Sequence, residues 1–297
     1  MDTLGIYIHK RKYVTLFHMD NINEIHDINR KWWDAKVQDW QKKEEDVWSK
    51  CREDKSFSLD RRMQEILDEL IGSLQGKKVC AIASGDNFAV FALAGMGMKV
   101  TSTDISELRL DIARERAAIL KYDIRFFRCD AADLSPVEDN EFDLVISTPG
   151  TYVWISNLEK VYSEVYRVLK PGGYLIFHEI HPFERPFKDQ PDFEIAQPYF
   201  ETGPYTHQGV DGIGETTHNF YWMMSDFINA IADCGLIIRR LSEDPAITPA
   251  YWEGRRFDDE GGDERLLDWH VNPHAALPQW MIVAAQKPHI KAGTNNL

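Results

Sequence analysis

Positive charge is scarce in this chain. Lys and Arg number 34 against 48 Asp and Glu, a formal net charge of -14. Such a surface repels a phosphate backbone, which excludes RNA, DNA and anionic membranes as partners unless a local basic patch exists. The densest basic cluster, His9 to Lys12, is short. No apolar run approaches the roughly 20 residues that cross a bilayer, and the first residues lack the charged-then-apolar order of a signal peptide. Met19, just before the first clear helical pattern, offers an alternative start. Cysteine is scarce too: Cys51, Cys80, Cys129 and Cys234 are scattered, with no CxxC spacing. That excludes a disulfide framework, and Cys80 and Cys129, in strand-like segments, read as buried reduced thiols. The expectation is a cytoplasmic protein, monomer or homodimer, with a small-molecule substrate and neither a nucleic-acid nor a membrane partner.

Glycine is missing where a nucleotide loop most needs it. Lys77 to Ser106 reads as strand, tight loop, helix, strand and a terminal acid. Val79 to Ala83 has the length and apolarity of a buried strand, and Ser84-Gly85-Asp86-Asn87 is turn chemistry. Phe88 to Met96 is apolar on nearly every side, as a helix buried on a sheet would be. Lys99 to Thr103 is the next strand, and Asp104 stands where a nucleotide-binding fold places the acid that takes the ribose hydroxyls; capping the next helix is the alternative use of that acid. The dinucleotide motif G-x-G-x-x-G brings backbone up to a pyrophosphate. Here its positions hold Ala83, Gly85 and Asn87 or Phe88, and Asp86 adds negative charge at the mouth. That loop disfavours phosphate and suits a cationic nucleoside, which describes S-adenosylmethionine. Asn tolerates a left-handed backbone, so Asn87 keeps the turn, whereas Ala83 does so only at a cost.

The 297 residues, 43% of them hydrophobic, suit one large α/β domain with additions. Residues 1–20 read as a flexible tail and 21–75 as an N-terminal helical lid. The lid is rich in tryptophan (Trp32, Trp33, Trp40, Trp48), with Trp33, Val37 and Trp40 on one face. Ser58 to Leu74 reads as a helix with Ser58 as N-cap and Gly72 near its end. Residues 76–288 form the main domain. Glu107 to Lys121 is a helix with Leu108, Ile112, Ala113 and Ile119 inward. Ile124 to Arg128 and Phe142 to Ser147 are strands, with Asp130 just past the first. Leu158 to Leu169 is a helix stopped by Pro171-Gly172-Gly173, and Tyr174 to His178 is a further strand. This alternation predicts a parallel sheet with right-handed crossovers. A cap rich in proline, glycine and aromatics interrupts at about 182–222, and a second insertion, carrying the run Asp258 to Glu264, at about 243–277. Ser225 to Cys234 is a helix, Leu236 to Leu241 and Gln279 to Gln286 are strands, and 289–297 reads as a disordered tail.

Four segments in this order, VCAIASGDN, TSTDIS, FRCDAADL with FDLVIST, and LKPGGYLIF, resemble the class I S-adenosylmethionine-dependent methyltransferases, in particular the small-molecule branch. The resemblance covers about Lys77 to Lys287. It implies a Rossmann-like seven-stranded sheet with helices on both faces, and S-adenosylmethionine as cofactor. By resemblance Ala83, Ser84 and Gly85 line its methionine part, Asp104 holds both ribose hydroxyls and Ile105 packs on adenine. Asp130 accepts from the adenine amino group beside Ala131, and Ser147 and Thr148 floor the sulfonium. The sequence departs from the family at Ala81, in place of the usual acid, and at Ala83 and Asn87, in place of two glycines.

Methyl transfer from a sulfonium is an in-line displacement, in which orientation alone supplies about 7–11 kcal/mol. An acceptor that carries a proton also needs a base. The candidates follow the fifth strand: His181 or His178, with Glu179 as an alternative or an orienting partner. The other reading makes one histidine a buried hydrogen-bonded group and Glu179 a holder of loop amides. A metal is not expected, since His178-Glu179-x-His181 is no zinc spacing and a proline breaks His270 to His274. Tyr152, Trp154, Tyr205 and Trp222 are candidates to stack on an acceptor, by function N or O of a small, aromatic or secondary-metabolite molecule; ordinary core packing is their alternative. Two other readings stand beside this one: a degenerate methyltransferase fold that only binds, and an NAD-type oxidoreductase, against which Asp86 and the missing glycines argue.

Overall fold

The structure is a computed structural model and describes residues 22–54, 57, 59–187, 194–209, 214–255 and 261–289. The expected N-terminal tail, the expected C-terminal tail beyond His289 and Ser58 lie outside them, as does part of the acidic run.

A seven-stranded sheet forms the frame. Its strands are β1 (Lys78–Ala81), β2 (Lys99–Asp104), β3 (Ile124–Arg128), β4 (Phe142–Ser147), β5 (Leu169–Ile180), β8 (Ile237–Asp244) and β9 (Trp280–Gln286), in the order β3-β2-β1-β4-β5-β9-β8. The first five pair in parallel. β9 runs antiparallel to both β5 and β8, so the parallel expectation is corrected for the last strand. The Rossmann-like arrangement is otherwise the expected one. β6 (Tyr205–Gln208) and β7 (Thr216–Asn219) form a separate antiparallel hairpin within the cap.

Strand alternation sorts the core into two layers. Cys80, Val145, Leu175, Phe177 and Val283 face α6 (Leu158–Val168) and α7 (Met224–Asp233). Val79, Ala81, Leu144, Ile146, Ile176 and Ile282 face α2 (Glu45–Glu53), α3 (Arg61–Leu70), α4 (Phe88–Gly95) and α5 (Glu107–Leu120). α4 is buried along most of its length, which explains its unpatterned apolar sequence.

Three local expectations are corrected. α3 begins at Arg61 and is capped by Asp60, whose side chain accepts from the Met63 amide at 3.0 Å. α5 turns Leu110, Ala113 and Ala117 inward together with Arg109 and Arg116, while Leu108 and Ile119 are exposed. The reason lies outside the helix: Glu44 is buried against both guanidiniums, accepting from Arg109 at 2.8 Å and from Arg116 at 3.1 Å. Pro171 to Gly173 do not end a helix in a loop but lie within β5, which starts at Leu169. A Cβ on Gly173 would come within 3.0 Å of the carbonyl oxygens of Lys170 and Phe142, so this shifted pairing of β4 and β5 requires a glycine there.

The roof is α1 (Ile22–Lys43), which crosses the carboxyl edge of the sheet. It is tied to β3's end by His26, to the cap hairpin by Asn29, to the β2–α5 turn by Asp34, and its following residue Glu44 holds α5. No helix among the described residues is long and apolar enough to cross a membrane.

Candidate active site

Strand order reverses between β1 and β4, and in open α/β sheets the ligand crevice opens at the carboxyl ends of the strands at such a point. A cavity of about 1500 Å³ lies there. Its floor is Ala83 to Asp86 after β1, Asp104 and Ile105 after β2, Asp130 and Ala131 after β3, and Thr148 to Thr151 after β4. Its roof comes from the N-terminal helices, with Trp33, Trp40 and Glu44. Trp33 meets Trp154 edge-on at 5.1 Å, and Trp154 stacks on Trp32 at 5.3 Å, which makes one wall tryptophan. The volume exceeds the roughly 300–1,000 Å³ of a single-ligand pocket.

The glycine-poor loop is held by side chains instead. Ser102 Oγ donates to Asn87 Oδ1 at 2.5 Å and lies 2.8 Å from Ser84 Oγ, while Asn87 Nδ2 donates to the Gly85 carbonyl at 2.9 Å. Asp86 accepts from the Phe88 amide at 3.0 Å, which starts α4. Asn87 has φ +63° and Ala83 has φ +45°. A left-handed backbone costs an alanine roughly 1–2 kcal/mol, partly offset by the extra unfolded-state freedom of glycine, roughly 0.5–1 kcal/mol. Ala83→Gly is therefore expected to raise the melting temperature by about 1–3 °C, read in a thermal melt; a lowered midpoint would show that the Ala83 methyl packs more favourably than its backbone is strained.

Asp104 Oδ2 accepts from the Gly85 amide and Oδ1 from the Ser106 amide, both at 2.9 Å. Burial pushes its carboxyl above the usual carboxylate range, against those two amides and Arg109. Asp130 behaves in the opposite way. Burial pushes it up, but the hydrogen bond from His26 leads the groups that bring it below its ordinary value.

The trio after the fifth strand separates by alternation. His178 shares the face of Ile176 and lines a second cavity of about 320 Å³ with Met63, Phe88, Tyr251 and Trp280. The two cavities share Asp86, Phe88, Thr148, Pro149, Gly150 and Arg255. Burial pushes the His178 pKa below its usual 6.5, with Asp60 and Asp244 opposing. Glu179 points to the other face, where its carboxylate accepts from the amides of Gly150 (2.9 Å), Tyr152 (3.0 Å) and Ile180 (2.8 Å). It fixes the loop after β4 and lines neither cavity. His181 is fully buried, with Nε2 2.9 Å from Glu243 and Nδ1 accepting from the Phe183 amide at 3.1 Å. Both its nitrogens are engaged away from the cavities.

Four further candidates are corrected. Tyr152 is core, packed on Tyr162, Phe177 and Phe227. Ser147, on the same face, donates to its hydroxyl at 3.3 Å instead of flooring the cavity. Trp222 is tied by its indole N–H to the Ile155 carbonyl at 3.0 Å, and Tyr205 sits on the cap hairpin, donating to the Glu201 carbonyl at 3.0 Å. Neither lines either of these two cavities, whereas Trp154 lines the larger. Sequence reasoning missed His26, Glu44 and Arg109, which also line the larger cavity. Neither Cys80 nor Cys129 is poised for nucleophilic work: burial pushes Cys129 up to about 12 and Cys80 higher still.

Comparison with known proteins agrees with this layout. Residues 80–177 match the family described as Methyltransferase domain. An uncharacterized methyltransferase of Bacillus subtilis, YbaJ, is 27% identical over 235 residues, 75% of this chain and 92% of that protein. A demethylmenaquinone methyltransferase of Renibacterium salmoninarum is 31% identical over 134 residues, 45% of this chain, and the match spans about half of that relative, 54% of its length. A solved S-adenosylmethionine-dependent methyltransferase from Mesorhizobium loti shares the fold, with a TM-score of 0.54 and 20% identity over 75% of this chain and 96% of that one. With its domain match, its relatives and its sheet order in agreement, residues 80–177 carry a methyltransferase domain and the chain is similar to S-adenosylmethionine-dependent methyltransferases.

Proposed function

We propose that this methyltransferase acts on a nitrogen or oxygen of a small acceptor seated against His178, which serves as the base. One observation carries the reading: of the three titratable residues at the end of β5, His178 alone lines either of these two cavities, and its cavity shares walls with the larger one. When bound, S-adenosylmethionine supplies an electrophilic methyl group. The residues present fit it. Each oxygen of Asp104 accepts one backbone amide, which leaves each with capacity for a ribose hydroxyl. Ile105 and Ala131 offer apolar contact for adenine, with Asp130 as an acceptor at its edge, and Ala83, Ser84, Gly85 and Thr148 would border the methionine part. Asp86 at the junction disfavours a pyrophosphate, which weighs against a dinucleotide.

The protein's own work is orientation and proton removal. Glu179 holds the loop of Thr148 to Thr151 in place through two amides. The tryptophan wall and the apolar side chains of the smaller cavity flank the place where cofactor and acceptor would meet. His178, kept neutral by burial, can accept the proton that an N–H or O–H acceptor must lose. Leu59, Met63, Phe88, Tyr251 and Trp280 make an apolar, aromatic bed for a compact ring. The test is a screen of small aromatic hydroxy and amino compounds with isotopically labelled S-adenosylmethionine, followed by NMR of the product. Label on nitrogen or oxygen supports the reading. Label on a ring carbon would replace it with carbon methylation.

A further inference from the structure

His26 stands near the start of α1, outside the sheet, yet its ring is 4% exposed and fixed at both nitrogens. Nε2 accepts from the Ser156 amide at 3.0 Å and lies 2.8 Å from Ser156 Oγ. A nitrogen that accepts from a backbone N–H carries no proton, so the imidazole is neutral with its hydrogen on Nδ1. Nδ1 donates to Asp130 Oδ2, and Asp130 Oδ1 accepts from the Ala132 amide at 2.8 Å. Both carboxylate oxygens are therefore pinned, one by the acid's own loop and one by the roof helix.

We propose that His26 is a positioning residue for the adenine end of the cleft, holding the Asp130 carboxylate oriented so that it selects a purine bearing a 6-amino group. The proposal rests on the reading of Asp130 as the adenine acceptor. A pinned carboxylate offers only lone pairs: a 6-amino group satisfies it, and a 6-keto oxygen is repelled. Without His26, burial would push the Asp130 carboxyl up, since the histidine is the first of the groups opposing that push. The Oδ2 oxygen then has no donor to hold it, the carboxylate can turn away from the adenine edge, and the preference between bases is lost.

The experiment is calorimetric binding of S-adenosylhomocysteine and of its inosine counterpart to the wild type and to His26→Ala, His26→Asn and Asn29→Ala. The wild type is expected to prefer the adenine compound by about 10- to 100-fold, the worth of one hydrogen bond to a charged group. His26→Ala is expected to bring that ratio close to one, and His26→Asn, which keeps an N–H donor near Nδ1, to retain part of it. Asn29→Ala removes the paired bonds between α1 and the His218 backbone and should leave the ratio unchanged. A wild-type ratio in His26→Ala, or an equal loss in Asn29→Ala, overturns the proposal by making His26 only an anchor of α1. A wild type that binds both compounds equally removes Asp130 as the adenine acceptor and the proposal with it.

Discussion

Asp104→Ala is expected to weaken binding of S-adenosylhomocysteine by about 10²–10³-fold in calorimetry, with little change in the melting temperature. Two ribose hydroxyls donating to one ionised carboxylate are worth about 1.5–3 kcal/mol each, and a tenfold change in affinity is about 1.4 kcal/mol. The lower part of that range applies because the cleft is open to water. Stability changes little because the carboxylate is not at ease in the free protein: burial already pushes its pKa up, so removing it also removes a desolvation cost. The Gly85 amide lines the cleft, where water can replace its acceptor, whereas the Ser106 amide is buried and its lost acceptor offsets that relief. Asparagine is no gentler, since both oxygens accept N–H groups and one would become an NH₂ set against a donor. The same raised pKa gives a pH signature. The diol binds the ionised form, so affinity should fall as the pH drops through the raised carboxyl value, which lies above the 3.8 of an ordinary aspartate. Unchanged affinity in Asp104→Ala would remove this acid from the site.

The part of the molecule that places Asp104 was legible because several local signals coincide there. A strand-length apolar run, turn residues, a helix apolar all round and an acid at a strand's end each restrict the chain in the same direction. The direction of the last strand was not legible, because alternation records which face a side chain takes and not which way the strand runs. α5 misled because two arginines are buried on it, and their partner Glu44 lies 65 residues from Arg109; hydrophobic periodicity sees only the helix itself. The aromatic candidates failed for a related reason. Composition does not separate a tyrosine in the core, such as Tyr152, from a tryptophan on a cavity wall, such as Trp154. His26 could have been found. It lies seven residues before Trp33, on the helical face already marked by Trp33, Val37 and Trp40, and a polar residue continuing an inward face asks for a partner.

His178→Ala is expected to lower kcat by about 10²–10⁴-fold, the usual contribution of one acid–base group, while the affinity for S-adenosylhomocysteine stays within about twofold because no assigned cofactor contact is lost. The expectation depends on strand alternation, which puts His178 in the smaller cavity and sends Glu179 and His181 elsewhere. Glutamine at 178 keeps the bulk and a hydrogen bond but not the basicity, so it should be nearly as slow as alanine if proton removal is the role. It should recover most of the rate if His178 merely orients the acceptor. The pH profile provides a second reading. Burial lowers the imidazole pKa, so the neutral base persists below pH 6.5 and the acidic limb of kcat should lie beneath that value. The sign for stability is the same: the unfolded imidazole takes a proton near pH 6.5 while the folded one resists it, so stability is fully present above pH 6.5 and is lost as pH falls towards the lowered value. Replacing His178 should flatten the acidic limb of activity and reduce that acid loss of stability together. A variant that keeps the wild-type limb would assign the titration to another group and leave His178 as a wall of the cavity.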